Sequence, residues 1–205
     1  MDSQSISIIL LAAGASKRMG STIKQLLPWG NTTLLEHAID QTRPLNAKTY
    51  VVLGAHAVEI KSQLSREVDV LVNLNWKNGM GSSIAFAVAE VLRTNPHTKT
   101  VLILLADQPL IDSRFFKRLF EGYERKGIGI AATAYPNKRA GVPAVFDASF
   151  FPALLRLNED KGARELLNTQ KENMVTLPIG EKGWDIDTIE DYNKLLRFRK
   201  EGTTR

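Results

Sequence analysis

Short, almost wholly apolar runs separated by amphipathic stretches of helical period restrict this chain more than any other feature. The runs are Ile6–Ala12, Thr49–Leu53, Val68–Val72 and Thr100–Leu105. A strand that is apolar on both faces must be covered on both, which is the condition of a parallel strand flanked by helices. Between the first two runs, Leu34, Leu35, Ala38 and Ile39 make one apolar helix face, and Thr33 with Glu36 three residues later reads as a capping box. Further helices are expected at Ala57–Leu64, Ser82–Leu92 and Ser113–Arg125; in the last, Phe116, Leu119, Phe120 and Tyr123 share one side. Strands alternating with helices build right-handed βαβ units, so the expected fold class is α/β with a parallel sheet.

The second half is less regular. Strands are expected at Ile128–Tyr135, Val142–Phe146 and Met174–Leu177, with a polar loop at 136–141 and an extended piece at Trp184–Asp187. Helices are expected at Ser149–Leu157, Ala163–Thr169 and Ile189–Arg199, followed by a frayed tail at 201–205; Lys194, Arg197, Arg199 and Lys200 read as a solvated face of the last helix. The 205 residues show no linker, repeat or biased segment, so 1–205 is read as one domain with its core at about 6–196. The absence of cysteine excludes disulfides, a thiolate nucleophile and Cys-based metal centres. No stretch approaches the roughly 20 apolar residues of a membrane helix, and Met1-Asp2-Ser3-Gln4-Ser5 lacks the positive flank of a secretory signal. A soluble, cytoplasmic protein is expected. The net charge of +5 suits anionic small molecules without demanding nucleic acid.

The segment that follows the first apolar run carries the most chemistry. Leu11, Ala12, Ala13, Gly14, Ala15 and Ser16 lead into Lys17, Arg18, Met19 and Gly20, with Lys24 close behind. A loop of small residues at the carboxyl end of a parallel strand lies where open α/β sheets bind ligands. Glycines let the backbone approach an anion, and Arg18 and Lys24 add fixed positive charge, so these are parts for a polyphosphate. Neither the Walker loop nor the Gly-x-Gly-x-x-Gly fingerprint is present. Asp107 stands just past the run Thr100–Leu105, where an unpaired buried carboxylate would be expensive. Asp185 and Asp187 sit at alternate positions before the last helix. Taken alone, Asp107 fits a metal ligand or an N-cap or turn acid before Pro109, and Asp187 fits a metal ligand or a helix cap. His37, His56 and His97 have no ligand spacing and read as packing residues, and no Gly-x-Ser-x-Gly elbow occurs.

The string Leu-Ala-Ala-Gly-Ala-Ser-Lys-Arg-Met-Gly, followed by Lys24-Gln25-Leu26-Leu27-Pro28, resembles the opening signature of the MobA-like nucleotidyltransferases. Within that group it is similar to the molybdenum cofactor cytidylyltransferases (MocA) and the purine-catabolism protein PucB. The guanylyl branch has Gly and Asp where this chain has Ala13 and Ile23. Ala106-Asp107-Gln108-Pro109 and Asp185-Ile186-Asp187-Thr188-Ile189-Glu190-Asp191 also look like family motifs in the expected order, with Ile189 in place of a common Pro.

The resemblance implies a Rossmann-like three-layer sandwich of the nucleotide-diphospho-sugar transferase type, with a mostly parallel sheet between helices. It implies Mg2+ held by Asp107 and Asp187, with Asp185 in reserve, and a triphosphate held by Arg18 and Lys24. Gly81, Ser82 and Ser83, in a loop that also suits a helix N-cap, carry over as base or ribose contacts. Gly141, Pro143, Asp160 and Arg164 carry over to the acceptor side; Asp160 and Arg164 equally fit a structural ion pair. There the chain departs from the pattern, with Val142 where His is common and Glu159 replacing a Gly.

The implied reaction transfers CMP from CTP to molybdopterin-type molybdenum cofactor and releases pyrophosphate, serving a molybdenum hydroxylase such as a xanthine dehydrogenase. Three alternatives stay open at this level: use of GTP, a sugar or alcohol phosphate as acceptor, and a non-catalytic carrier of the cofactor.

Overall fold

The computed structural model describes residues 3–136, 139–159 and 162–202; the loop residues Asn137 and Lys138, the acceptor candidate Asp160 and the end of the expected tail, 203–205, lie outside them. In chain order the elements are β1 (Ile6–Ala12), β2 (Pro28–Trp29), β3 (Thr32–Thr33), α1 (Leu34–Thr42), β4 (Lys48–Leu53), α2 (Ala57–Gln63), β5 (Asp69–Val72) and α3 (Met80–Thr94). Then come β6 (Thr100–Leu105), α4 (Ser113–Lys126), β7 (Ile130–Ala134), β8 (Ala140–Asp147), α5 (Phe151–Leu154), α6 (Arg164–Thr169), β9 (Met174–Pro178) and α7 (Ile189–Gly202). Seven strands form one sheet in the order β5-β4-β1-β6-β8-β7-β9, and β2 pairs with β3 in a small separate hairpin.

Every residue of β1 is buried, because successive side chains enter opposite layers. Ile8, Leu10 and Ala12 pack with Leu35, Ile39, Ile60, Phe116 and Leu119 from α1, α2 and α4. Ile9 and Leu11 pack with Ile84, Val88 and Val91 of α3 and with Leu154 and Leu167 of α5 and α6. The result is the expected three-layer α/β arrangement. Within the seven-stranded sheet, β8 runs antiparallel to its neighbours. The short 135–139 connection forces this, since a parallel crossover needs a dozen or more residues.

A third cluster matters most for the site. Met19, from the loop after β1, packs with Trp29 of the hairpin, Leu34, Ile186 and Leu195 of α7. Ile186 is wholly buried, and its amide donates to the carbonyl of Asp107 at 2.9 Å. Three segments far apart in the chain are thereby fastened together. The basic residues of α7 contribute as well. Lys194, Arg197 and Arg199 are exposed, as expected, and two of them also lie over rings: Lys194 is 4.4 Å from the Trp184 ring centroid and Arg199 is 5.2 Å from that of Trp29.

Several local expectations need correction. Thr33 caps α1 through Glu36 N, but the Glu36 carboxylate turns to Thr32, Ser65 N and Ser65 Oγ instead of closing the box. α3 starts earlier than expected, after Gly79, which places Ser82 and Ser83 inside its first turn and not at its cap. The run expected at Ser149–Leu157 keeps only one α-turn, Phe151–Leu154, flanked by tighter turns that end 156→153 and 157→154. Residues 184–187 form no strand; Ile186 is pulled into the third cluster instead. Ile186→Ala should lower stability by about 2–5 kcal/mol, read by chemical denaturation, because the cavity lies where the cluster closes.

Candidate active site

The carboxyl ends of β1 and β6 open into a cleft of about 820 Å3. Its floor is the loop 13–16. The Ala13 carbonyl accepts from Ala55 N at 3.0 Å, and the Gln25 amide donates to the carbonyls of Ala12 (2.8 Å) and Gly14 (3.2 Å). Ser16 adopts a left-handed backbone, φ 52°, at the turn that sends the chain back to bury Met19. Arg18 is carried beside that buried methionine and stays exposed.

Lys24 is the centre of the charge arrangement. Its Nζ lies 2.6 Å from Asp107 Oδ2 and 3.7 Å from Asp187 Oδ1, while Arg18 reaches Asp187 Oδ1 at 2.9 Å. The Lys24 side chain is only 14% exposed, so its charge is tenable because two carboxylates face it. The alternative duties of the acids are taken by other residues. α4 is capped by Asp112, and Thr188 and Asp191 cap the start of α7 through reciprocal bonds. Asp107 and Asp187 are therefore free of helix capping and turn to the cleft.

Four buried side-chain oxygens among the described residues have no hydrogen-bond partner: Ser16 Oγ, Gln25 Oε1, Asp107 Oδ1 and Gln108 Oε1. Ser16, Gln25 and Asp107 line this cleft, and Gln108 lines the neighbouring one. Native proteins rarely leave such atoms unpaired, and their concentration at one sheet edge marks a place built for a polar ligand.

Leu11, Ala13 and Gly14 line the cleft as the sequence suggested, and so does Ser83, which accepts from Asn73 Nδ2 at 3.0 Å. Ala12, Gly81 and Ser82 do not. Gly81 instead lets α3 approach the chain opposite it: a Cβ there would lie 2.5 Å from the Asn158 carbonyl oxygen, and its amide donates to Glu159 at 2.8 Å. Glu159 holds a left-handed φ of 61°, which explains why a glycine suits that position in the family pattern. Trp76, Lys77 and Met80 complete the cleft wall. Nothing in the sequence marks Trp76 and Lys77 as site residues; the fold brings them to the cleft, with Lys77 lying 5.7 Å from the Trp76 ring centroid.

Met80 and Leu105 also line a second recess of about 740 Å3, so the two hollows are contiguous. Gly141, Val142, Arg139 and Arg164 line it; Pro143 is buried behind it. Asp185 opens into this recess, whereas Asp187 opens into the first. A buried relay holds it: Tyr135 donates to the Val142 carbonyl at 2.5 Å, and the Gln108 amide donates to Tyr135 Oη (2.6 Å) and Asp185 Oδ1 (2.7 Å). Gln108 was visible beside Asp107 in the sequence, but nothing there pointed to Tyr135.

The class these features define is a phosphate-handling enzyme built at the carboxyl edge of a nucleotide-binding α/β sheet. The model of the MobA-like NTP transferase domain matches residues 8–174, and the chain belongs to that family of nucleotidyltransferases. It is 35% identical over 199 residues to nicotine blue oxidoreductase from Paenarthrobacter nicotinovorans, covering 92% of this chain and 95% of that one. Among solved structures it is similar to Rv0371c from Mycobacterium tuberculosis H37Rv, with 28% identity, a TM-score of 0.81 and coverage of 96% and 100% of the two chains. A manganese complex of Rv0371c matches at 27% identity and a TM-score of 0.78, covering 94% and 98%. No described helix is long and apolar enough to cross a membrane.

The Asp185 carboxyl is pushed up to about 6, first by loss of solvation in the recess, then by the nearby charge of Asp107 and, more weakly, Asp187; the Gln108 bond and Lys24 oppose this. Because Asp185 also reaches solvent, water screens part of the penalty. An acid whose folded pKa lies above its ordinary 3.8 binds more protons folded than unfolded between those values. Its destabilising contribution is therefore full above about pH 6 and fades as pH falls towards 4. Asp185→Asn should raise the Tm most at about pH 8 and progressively less towards pH 4, measured against the parent chain at each pH.

Proposed function

We propose that this protein transfers CMP from CTP to a molybdopterin-type molybdenum cofactor, with release of pyrophosphate, in a reaction that uses Mg2+. The observation that carries the reading is the Lys24 centre, in which two cations and two carboxylates converge at the mouth of a small-residue loop. Such a set matches a triphosphate with its metal better than it matches a neutral ligand.

The residues fit a hard divalent cation. Asp107 keeps one buried oxygen without a partner, and both Asp107 and Asp187 offer oxygen donors beside the phosphate-binding cations. The manganese complex of the similar mycobacterial protein supports a divalent ion here. When bound, the ion would neutralise charge on the triphosphate. Arg18 and Lys24 would hold phosphate oxygens and stabilise charge that develops as pyrophosphate leaves. The loop 13–16 would bring its backbone against the nucleotide, and the ridge of Met80 and Leu105 would set the acceptor in the second recess on line with it. No protein base is required, because an acceptor phosphate is already ionised at neutral pH. Ala13 and Ile23 support the cytidylyl over the guanylyl branch. A molybdenum hydroxylase of the xanthine dehydrogenase type would receive the product.

Pyrophosphate release should require molybdenum cofactor and run fastest with CTP when CTP, GTP, ATP and UTP are compared. Faster release with GTP would transfer the chain to the guanylyl reading. Release with a sugar or alcohol phosphate but not with molybdenum cofactor would change the acceptor. No release with any pair would leave the carrier reading. NADH and NADPH oxidation is followed in parallel, because the Paenarthrobacter relative is named an oxidoreductase. Asp107→Ala should lower kcat by about 100-fold or more while the protein keeps its circular dichroism spectrum, since it removes an electrostatic partner of the reacting phosphates.

A further inference from the structure

Gln25 makes contacts that packing alone does not explain. It sits in the tight turn Lys24–Leu26, which Ile23 and Leu26 anchor against the core cluster around Ile8 and Leu10, and it is only 3% exposed. Its amide donates to two carbonyls of the loop after β1, those of Ala12 and Gly14, while its own Oε1 is buried without a partner. An unpaired buried oxygen lowers stability, so an apolar side chain of similar size would fill this place with less loss. What the amide supplies is geometry. The Ala13 carbonyl, between the other two, accepts from Ala55 N at 3.0 Å, so three successive carbonyls are tied to the protein. A trans peptide turns its N–H opposite to its C=O. Holding the Gly14 carbonyl therefore points the Ala15 amide away from Gln25, and Ala15 lines the cleft. Lys24, the residue before Gln25, sends its ammonium to Asp107 at 2.6 Å. One turn thus carries both the brace of the loop and the cation of the charge centre.

We propose that Gln25 is a positioning residue for the nucleotide phosphates: it fixes the loop 13–16 against Lys24, so that loop backbone and ammonium meet one phosphate chain in register. This rests on the cleft being the phosphate site of the proposed reaction. Gln25 acts through Ala12 and Gly14 and not by touching the ligand. Ala13, Gly14, Ala15 and Ser16 have no large side chain to pack, so the hydrogen bonds on their backbone set the shape of the loop. Without the brace, the loop has to be ordered at the moment of binding, and that ordering is subtracted from affinity. Arg18 and Lys24 would still supply charge, but no longer at a fixed distance from the loop.

Calorimetric titration of the full chain with CTP and with inorganic pyrophosphate, Mg2+ present, tests this. Gln25→Met keeps the size of the side chain and removes both donors; it should weaken each ligand by about tenfold or more. Pyrophosphate has no base, so a loss shared by the two ligands places the effect at the phosphates. Gln25→Glu at about pH 8 sets a carboxylate against two carbonyl oxygens and should bind at least as poorly as Gln25→Met. Once protonated, that carboxyl can donate to a loop carbonyl, so its loss relative to the parent at the same pH should shrink towards about pH 6. A residue that merely fills space would give the reverse, with Gln25→Met binding like the parent. Binding by Gln25→Met within about threefold of the parent overturns the proposal. So does a Gln25→Glu loss that stays constant with pH, or a parent chain that binds neither ligand. Either variant carries the test if the other fails to fold; failure of both overturns it, since Gln25 would then be a determinant of folding. The titrations involve no turnover. Failed pyrophosphate release with molybdenum cofactor leaves them standing, and unchanged binding by Gln25→Met leaves the transfer reaction standing.

Discussion

Lys24 could not stand where it does without Asp107 and Asp187, and those two acids could not face one cleft without Ile186. An ammonium group with 14% of its side chain exposed is stable only when opposite charge compensates for the water it has lost. The compensation comes from segments 83 residues apart in the chain. Their relative position is fixed by the Ile186 amide on the Asp107 carbonyl and by the packing of Ile186 against Met19. The loop after β1, the turn after β6 and the approach to α7 therefore behave as one unit. Displacing the small cluster beneath them would disturb all four charges together.

That unit also divides the sheet edge by chemistry. With Ile186 turned into the protein, Asp185 and Asp187 fall on either side of it and serve adjoining hollows. One hollow has the dense charge of Arg18, Lys24, Asp107 and Asp187. The other has a braced carboxylate, an arginine and a buried glutamine–tyrosine relay. In the proposed reaction the nucleotide and the acceptor would occupy these two hollows, and positioning and charge would supply most of the rate gain.

Much of the scaffold was legible in the residues. β1, β4 and β6 lie where the apolar runs are nearly unbroken, because strands covered on both faces favour apolar residues, whereas the edge strand β5 carries Asp69 and stays half-exposed. α1, α2 and α4 follow from their periodic faces. The β2–β3 hairpin was not legible, since Pro28-Trp29 and Thr32-Thr33 are too short for a pattern to emerge. Glu36 looked like half of a capping box, yet Ser65 competes for it from 29 residues away, which no local rule contains. Arg18, Lys24, Asp107 and Asp187, which the structure brings together, stand near strand and helix ends, but position alone left Asp107 and Asp187 open to a turn or a helix cap, and only the family resemblance grouped them. Ser82 lies inside α3 and not at its cap, because the start of α3 is set by Gly79 and by the contact of Gly81 with 158–159.

The sequence by itself determined the layered α/β fold, the small-residue loop and the charged side chains available to it, because periodicity and strand ends are local properties. Only the tertiary structure decided how those charges pair, which of two alternate aspartates enters which hollow, and that Tyr135 and Gln108 form a relay. Each of those depends on contacts between distant segments, where burial makes a hydrogen bond or an ion pair strong and its absence expensive.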